Sequence, residues 1–419
     1  MMSEVIVATV QQQMRVYEDP EAYAADVRRF MRQVKSKRAE IVVFPELSGL
    51  MLALPLISGV KRGLLKRSDR ASARRASPLA KVVGRVAGTT AGALGGGMLG
   101  SLNRLFRKRH GELFDAYIAF FSDVAAEYGM YVVGGSAYLY DQDLDEVRNA
   151  CYVFDPRGDV VGYQEKLVLT RQDEALCSPG DRVAVLPTEF GRLGVIVGTD
   201  VLYPETARAL AVQGADFLVA PAACPGSLLH HQVRQAFYAR VQENQLFGAI
   251  SFLVGPNNLG WGEYAGRSAV LGPAELTARH SGVLQEVGGA SVEGFLAAGC
   301  DLDALSQLWE TADPPLRHRI PLACGPVLAG FYEAGTTLSL GYELPEEAPA
   351  EVILGLSPGE ALAPEPLAEG TVERAEEAVI DVPVSSAEPT EADEGAPGDA
   401  EEWPFESAWD EPGSGDRKN

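Results

Sequence analysis

A chain of 419 residues with 46% apolar side chains is long enough to bury one large core or two smaller ones. Its formal charge of −22 is unevenly spread: residues 341–419 hold 22 Asp and Glu against Arg374, Arg417 and Lys418, whereas residues 51–110 hold 13 Lys and Arg against Asp69 alone. Outside those segments the balance is that of an ordinary soluble surface, so the mean charge excludes little about partners. The five cysteines, Cys151, Cys177, Cys224, Cys300 and Cys324, are odd in number and widely spaced. They form no CxxC or zinc pattern, and no secretory signal precedes Val5-Ile6-Val7. The expected setting is reducing and cytoplasmic, with neither metal nor cofactor.

The apolar run 5–10 predicts a strand, with the polar Gln11-Gln12-Gln13 following it. Asp19-Pro20 is a helix start, with Asp at the cap and Pro at the first helical position. Tyr23, Val27, Phe30, Met31 and Val34 then recur at helical spacing as one buried face. Ile41-Val42-Val43-Phe44 predicts a buried strand that delivers Pro45-Glu46 to its carboxyl end, where α/β sites assemble.

Residues 48–111 interrupt this pattern. An uncharged apolar run over 47–60 precedes a basic stretch over 61–75. Gly84, Gly88, Gly92, Gly96 and Gly100 then recur every four residues, most of them inside the 18-residue uncharged run 86–103, and Arg104, Arg107, Lys108, Arg109 and His110 close the insertion. One reading is a flexible soluble lid, because each glycine weakens a helix by about 1 kcal/mol. The favoured reading is membrane contact. Small residues four apart let helices approach in lipid, the run is near the lower length limit for a span, and flanking bases suit anionic headgroups. A re-entrant or surface-lying hairpin, with 47–60 as one half, fits better than a simple span. The interleaved apolar runs argue against nucleic acid.

Beyond it, Leu113, Phe114, Tyr117, Ile118, Phe121 and Val124 predict a helix, 131–135 a strand, and 150–154 with 160–163 a hairpin around Asp155-Pro156-Arg157-Gly158. Strand 217–220, helix 233–245, strands 249–254 and 268–271 and helix 302–309 follow. Alternating helices and strands imply an α/β fold, and the hairpin implies a sheet that is not purely parallel. Folding signals fade over 332–342, which divides the chain into a domain over 1–335 and an acidic, disordered tail over 336–419. Trp403-Pro404-Phe405 and Trp409 in that tail read as solvating chain rather than as a docking motif.

The stretch Gly194-Val195-Ile196-Val197-Gly198-Thr199-Asp200-Val201-Leu202-Tyr203-Pro204-Glu205 predicts a strand, a sharp turn and a helix, the geometry that presents a nucleophile above a sheet. The turn itself holds Gly198, which has no side chain to present. Glu46 at one strand end, Lys166 just after another and Glu174 eight residues beyond in the same loop are charged groups at places that suggest a chemical role. A lysine between two carboxylates satisfies the pairing that a dry site demands.

Phe44-Pro45-Glu46-Leu47, Gly162-Tyr163-Gln164-Glu165-Lys166 with Leu169-Thr170 and Glu174, Pro179-Gly180-Asp181, the stretch from Gly194 to Glu205, Gly214-Ala215-Asp216, Ala239-Arg240 and Glu243-Asn244 together resemble the nitrilase, or carbon–nitrogen hydrolase, superfamily. The resemblance runs over about residues 4–332 without 48–111. It implies an α-β-β-α sandwich, an α/β fold, carrying a Glu-Lys-Cys triad that cleaves non-peptide C–N bonds of amides or nitriles through a thioester or thioimidate. Mapped onto this chain, Glu46 matches the base, Lys166 the oxyanion stabiliser and Glu174 the second carboxylate, while the nucleophile position reads Gly198. Thr199, Tyr203 and Cys224 are the candidates for lining the pocket, and Cys224, with Cys177 a weaker choice, is the candidate rescue nucleophile. The expectation is a non-catalytic ligand-binding or scaffold protein. Its ligand is expected to be a small amide or carboxylate, its assembly a homodimer by resemblance, and its membrane contact through 48–111. The alternative is an active amidase using Cys224 or an activated water. His230-His231 predicts a loop or helix start, not a metal site.

Overall fold

The computed structural model describes residues 4–56, 106–256, 263–313 and 316. Most of the glycine-rich insertion, Cys324 and the whole acidic tail lie outside the described residues, and with them the expectations about a lid, a membrane hairpin and a disordered tail.

The first strand, β1 (Glu4–Gln13), pairs in parallel with β2 (Ile41–Val43), which pairs in parallel with β3 (Tyr131–Asp141). β4 (Glu146–Phe154) and β5 (Val160–Glu165) continue this half as antiparallel neighbours. In the other half β6 (Val185–Thr188) is antiparallel to β7 (Gly191–Val195), and β7, β8 (Phe217–Ala223) and β9 (Phe247–Pro256) run parallel. The short β10 (Glu263–Tyr264), β11 (Ala269–Leu271) and β12 (Val283–Glu286) extend it antiparallel, and β13 (Gly294–Asp301) lines the free edge of β1. The strand ladder passes from one half to the other where Gln12 and Gln13 of β1 pair with Leu253 and Val254 of β9.

Alternation along the strands sorts side chains into layers. Val5 and Val7, Ile41 and Val43, Tyr131 and Val133, Cys151 and Val153, Phe217 and Val219 all point into one core between the two halves. The intervening Ala8 and Val10, Val42, Val132, Ala150 and Phe154 point outward into a core shared with helices α1 (Pro20–Ser36), α2 (Ser48–Leu56) and α3 (His110–Tyr128). On the other side Leu218, Ala220, Ile250 and Phe252 meet α4 (Pro204–Val212) and α5 (Ser227–Asn244). The result is helix, sheet, sheet, helix, with α6 (Leu302–Thr311) following β13.

Local chemistry starts these elements as the sequence indicates. Asp19 caps α1 by accepting from the Ala22 amide at 2.8 Å, and all five residues of its apolar face are buried. Three expectations change. Gln11 and Gln12 belong to β1 and are fully buried: Gln11 donates to the Gly289 and Val292 carbonyls and accepts from the Ser268 amide, while Gln12 accepts from Ser48 Oγ and its Nε2 has no partner among the described residues. The apolar run after Glu46 is not free for a membrane at its start: Leu47, Leu50, Met51 and Leu52 are at most 4% exposed and pack in the helix-side core, as does Phe106 after the insertion. No strand was expected over residues 294–301, yet β13 is the long antiparallel partner of β1. Among the described residues no helix is long and apolar enough to cross a membrane.

Candidate functional site

Five chain segments converge at the carboxyl ends of the central strands. Pro45-Glu46 follows β2 in a tight turn, in which Ser48 N–H donates to the Pro45 carbonyl at 3.2 Å and Leu47 adopts φ +64°. A non-glycine residue in that region costs about 1–3 kcal/mol and persists only where its surroundings hold it. Here the Leu47 amide is anchored on Ser136 Oγ at 3.1 Å, and Gly135 (φ +68°) lets β3 approach so closely that a Cβ there would collide with Pro45 O and lie 2.7 Å from Ser48 Cβ. Gly135→Ala is therefore expected to lower unfolding free energy by roughly 2–4 kcal/mol, read by urea denaturation.

The turn aims Glu46 into the interior, where its side chain is 3% exposed. Oε1 accepts from Lys166 Nζ at 2.9 Å and from Asn149 Nδ2 at 3.0 Å, and Oε2 accepts from the Ala223 amide at 2.9 Å. Lys166, one residue beyond β5 and equally buried, donates also to Asp173 Oδ2 at 2.7 Å. Asp173 is in turn held by Tyr138 OH at 2.8 Å and by the amide and hydroxyl of Thr170 at 3.1 and 2.8 Å. The carboxylate beside Lys166 is thus Asp173 and not Glu174, which is exposed and contributes its backbone amide to the Thr170 carbonyl. In the turn that runs from Thr170, the residue three positions on folds back onto Thr170 and faces inward, and the next one points out.

Electrostatics follow from this burial. Burial pushes the Glu46 carboxyl up, and Lys166 only partly offsets it. Burial would pull the Lys166 ammonium down, but the Glu46 and Asp173 carboxylates outweigh it and raise it above the ordinary lysine value. For Asp173, burial is outweighed by Lys166, Thr170 and Tyr138, so its carboxyl lies below the usual range. The cluster is best described as a charged Lys166–Asp173 pair, with Glu46 as the member most ready to take a proton.

Gly198 opens a 3-10 turn, Gly198–Leu202, after β7, with φ +57°. A Cβ built on it would lie 2.8 Å from Glu46 Cδ and 2.9 Å from Oε1, and closer still to Oε2. The Glu46 carboxylate therefore occupies the space into which any side chain at Gly198 would project. The residues after Gly198 are fastened to the lysine loop: Thr199 Oγ1 donates to the Val168 carbonyl at 3.2 Å, and Asp200 accepts from the Leu167 and Val168 amides at 2.8 and 2.7 Å. Burial pushes Asp200 up to about 7 in spite of those two amides.

The remaining candidates do not join the cluster. Tyr203 ends the 3-10 turn with 44% exposure, so it lies at the surface. Cys224 is 1% exposed and packs in the apolar core under α4 and α5. Burial, then the Glu46 charge, raises its thiol well above the ordinary value, the opposite of nucleophile activation. Cys177 is pushed up to about 12 by burial and then by Asp173. His230 sits in the first turn of α5 as expected of a helix start, edge-on to Phe252, and burial with His231 and nearby arginines lowers it to about 4. Among the described residues no cluster of His, Cys, Asp and Glu has metal-binding spacing. Asn149, Tyr138 and Asp173 were not singled out from sequence; the one available signal was that Asn149 shares the inward face of β4 with Cys151.

Comparison with known proteins agrees with this architecture. Residues 6–279 match the carbon-nitrogen hydrolase family. A nitrilase of Pyrococcus abyssi is 30% identical over 193 residues, covering 46% of this chain and 70% of that protein. An omega-amidase of Xenopus laevis is 28% identical over 210 residues, covering 47% and 70%. A probable hydrolase of Bacillus subtilis is 27% identical over 202 residues, 47% of this chain but 39% of the longer relative. Among solved structures, a carbon-nitrogen hydrolase from Helicobacter pylori G27 superposes with a TM-score of 0.56 at 19% identity, covering 78% of this chain and 99% of that one. The acrylamide complex of a double mutant of the amidase from Nesterenkonia sp. AN1 gives 0.52 at 20%, covering 73% and 94%. With the family match spanning well over half of its length and the layered sheets in accord, this chain belongs to the carbon–nitrogen hydrolase family of the nitrilase superfamily.

Proposed function

We propose that this protein is a non-catalytic member of its family, a binding or scaffold protein in which Gly198 stands where the nucleophilic cysteine would be. One observation carries the reading: the Glu46 carboxylate fills the space next to Gly198 and is itself fully engaged by Lys166, Asn149 and the Ala223 amide. A base must be free to take a proton from a nucleophile and return it to the leaving group. Glu46 is ready to take a proton, but Gly198 has no side chain to give one, and the carboxylate serves the buried network with Lys166, Asn149 and the Ala223 amide, a structural role that needs no turnover. The four cysteines among the described residues are all buried, and the thiols of Cys151, Cys177, Cys224 and Cys300 are all raised chiefly by burial. None has the lowered thiol that covalent catalysis requires, which weighs against an amidase acting through Cys224.

The test compares the wild-type protein with Gly198→Cys and Cys224→Ala on small aliphatic amides and nitriles. Ammonia release and intact-protein mass are followed together, with acrylamide as a thiol probe. In a Cys324→Ser background, with the sequence otherwise wild-type, the protein is expected to release no ammonia above background and to carry no acyl or acrylamide adduct, since the four remaining cysteines are buried. Gly198→Cys is expected to become labelled by acrylamide and to lose stability, because its Cβ must displace Glu46. Wild-type turnover that disappears in Cys224→Ala would overturn the proposal, as would turnover that persists there but vanishes in Glu46→Gln.

A further inference from the structure

Asp200 joins two segments of the site without a cation of its own. It is 1% exposed, and its carboxylate accepts from the Leu167 and Val168 amides at 2.8 and 2.7 Å. Neither partner carries a charge. The Lys166 ammonium favours the ionised form from a distance but is committed to Glu46 and Asp173, and the Glu46 charge works against it. On the helix side, Arg240 of α5 donates to the Val201 carbonyl at 3.2 Å and is paired with Glu243 at 2.6 Å, while Thr206 Oγ1 of α4 donates to the Asp200 carbonyl at 3.0 Å. A carboxylate without a counterion is costly to bury, and two amides offset only part of that cost.

The segment held by this carboxylate is short and fastened mainly through it. Before it, the Lys166 amide donates to the Asn149 carbonyl at 2.8 Å; after it, Leu176 and Cys177 are buried and the Ser178 amide donates to the Val147 carbonyl at 2.8 Å. Between these anchors residues 167–170 are half-buried. Among the described residues, the hydrogen bonds that tie Leu167 and Val168 to another element all end on Thr199 and Asp200: the two amides on the carboxylate, and the Val168 carbonyl accepting from Thr199 Oγ1 at 3.2 Å. Thr170 then supplies its amide and hydroxyl to Asp173 and closes the cluster around Lys166.

We propose that Asp200 is a pH-operated latch on the lysine loop: when its carboxyl loses its proton, residues 167–170 part from the Gly198–Leu202 turn and admit water to the charge. In the closed arrangement burial raises Asp200 to about 7, whereas in the parted one the carboxylate is solvated and returns toward its ordinary 3.8. The closed form therefore keeps a proton that the parted form releases, and rising pH favours parting until the closed form ionises as well. Thr170 leaves with the segment, so Asp173 loses two of its donors and the Lys166 cluster becomes reachable by solvent. This opening is local, distinct from unfolding of the whole domain, and it holds whether or not the chain turns over amides.

Amide hydrogen exchange of the full chain tests it, followed by mass spectrometry on peptides spanning 166–173 from about pH 5 to 8.5 and corrected for the intrinsic pH dependence of exchange. Protection of the Leu167 and Val168 amides is expected to fall roughly tenfold per pH unit up to about pH 7 and to level off above it. At every pH it should stay at least about tenfold below that of β2 and β8, whose core amides report global unfolding. Asp200→Asn should remove the pH dependence from this segment. Thr199→Val should lower its protection about fivefold at every pH and leave the dependence in place. If Asp200→Asn fails to fold, as judged by circular dichroism, the wild-type profile and Thr199→Val carry the decision. Protection that is flat between pH 5 and 7, a slope retained in Asp200→Asn, protection untouched by Thr199→Val, or a segment that exchanges only together with β2 and β8 overturns the proposal.

Discussion

Lys166→Met is expected to lower unfolding free energy by about 3–5 kcal/mol, measured by urea denaturation at neutral pH. The side chain is 3% exposed and pairs with two carboxylates, at 2.9 and 2.7 Å. Methionine is of similar length and apolar, so packing is largely kept, but Glu46 and Asp173 then face each other without the cation between them. One must be protonated or both must stay charged out of water, and either alternative is costly. Adding Asp173→Asn to Lys166→Met should recover part of the loss, because one stranded charge is gone while an acceptor remains for Tyr138 and Thr170. The non-additivity of the pair reports their coupling directly. A loss below about 1 kcal/mol for Lys166→Met would show that the cluster is open to water and that its burial has been overstated.

The second large effect concerns pH. Asp200 is raised from the ordinary 3.8 to about 7 in the folded chain. Between those values the native state binds more protons than the unfolded state, so unfolding free energy falls as pH rises through that window and levels off above it. Three units correspond to as much as about 4 kcal/mol at this one site. Glu46, also raised by burial, acts in the same direction. Asp173 acts oppositely: its carboxyl is lowered, so its contribution is present above the ordinary Asp value and is lost as pH falls through the lower folded value. Stability is therefore expected to be greatest in mildly acidic solution and to decline toward neutrality. Asp200→Asn should flatten that decline while lowering the overall level by about 1–3 kcal/mol, since a single amide oxygen replaces the two oxygens that accept from Leu167 and Val168. A wild-type profile that is flat between pH 4 and 7 would contradict the burial of Asp200.

The layers, most element positions and the placement of Glu46 and Lys166 were legible before the structure. These rest on local signals: the short continuous apolar run 41–44, helical spacing from Tyr23 to Val34, the Asp19-Pro20 cap, and a series of short motifs in family order. Each signal lies within a few residues, where sterics and side-chain periodicity act directly. β13 escaped notice because Gly294–Asp301 mixes glycine and alanine with few β-formers. Its strand character comes from the edge of β1, almost three hundred residues away.

The cluster itself was legible only in outline. That an acid would flank Lys166 was readable from charge pairing. Whether it was Asp173 or Glu174 depended on how the turn after Thr170 winds, and one residue of rotation exchanges an inward carboxylate for a solvated one. The apolar character of Leu47, Leu50 and Met51 was equally plain, but lipid and a helix-side core make the same demand on composition. The choice fell to the core because α1 and α3 stand close enough to cover them.

Short motifs in the chain therefore carried the resemblance to the family, and through it the four-layer plan, and they placed Gly198 in the sharp turn after a strand. What filled the space beside that glycine was a matter of tertiary packing. Leu47's strained turn, the close approach of Gly135 and the amides of Asn149 and Ala223 bring a carboxylate from β2 to the turn after β7. Such contacts join residues from 87 to 177 positions apart, and no local pattern encodes a distance of that kind.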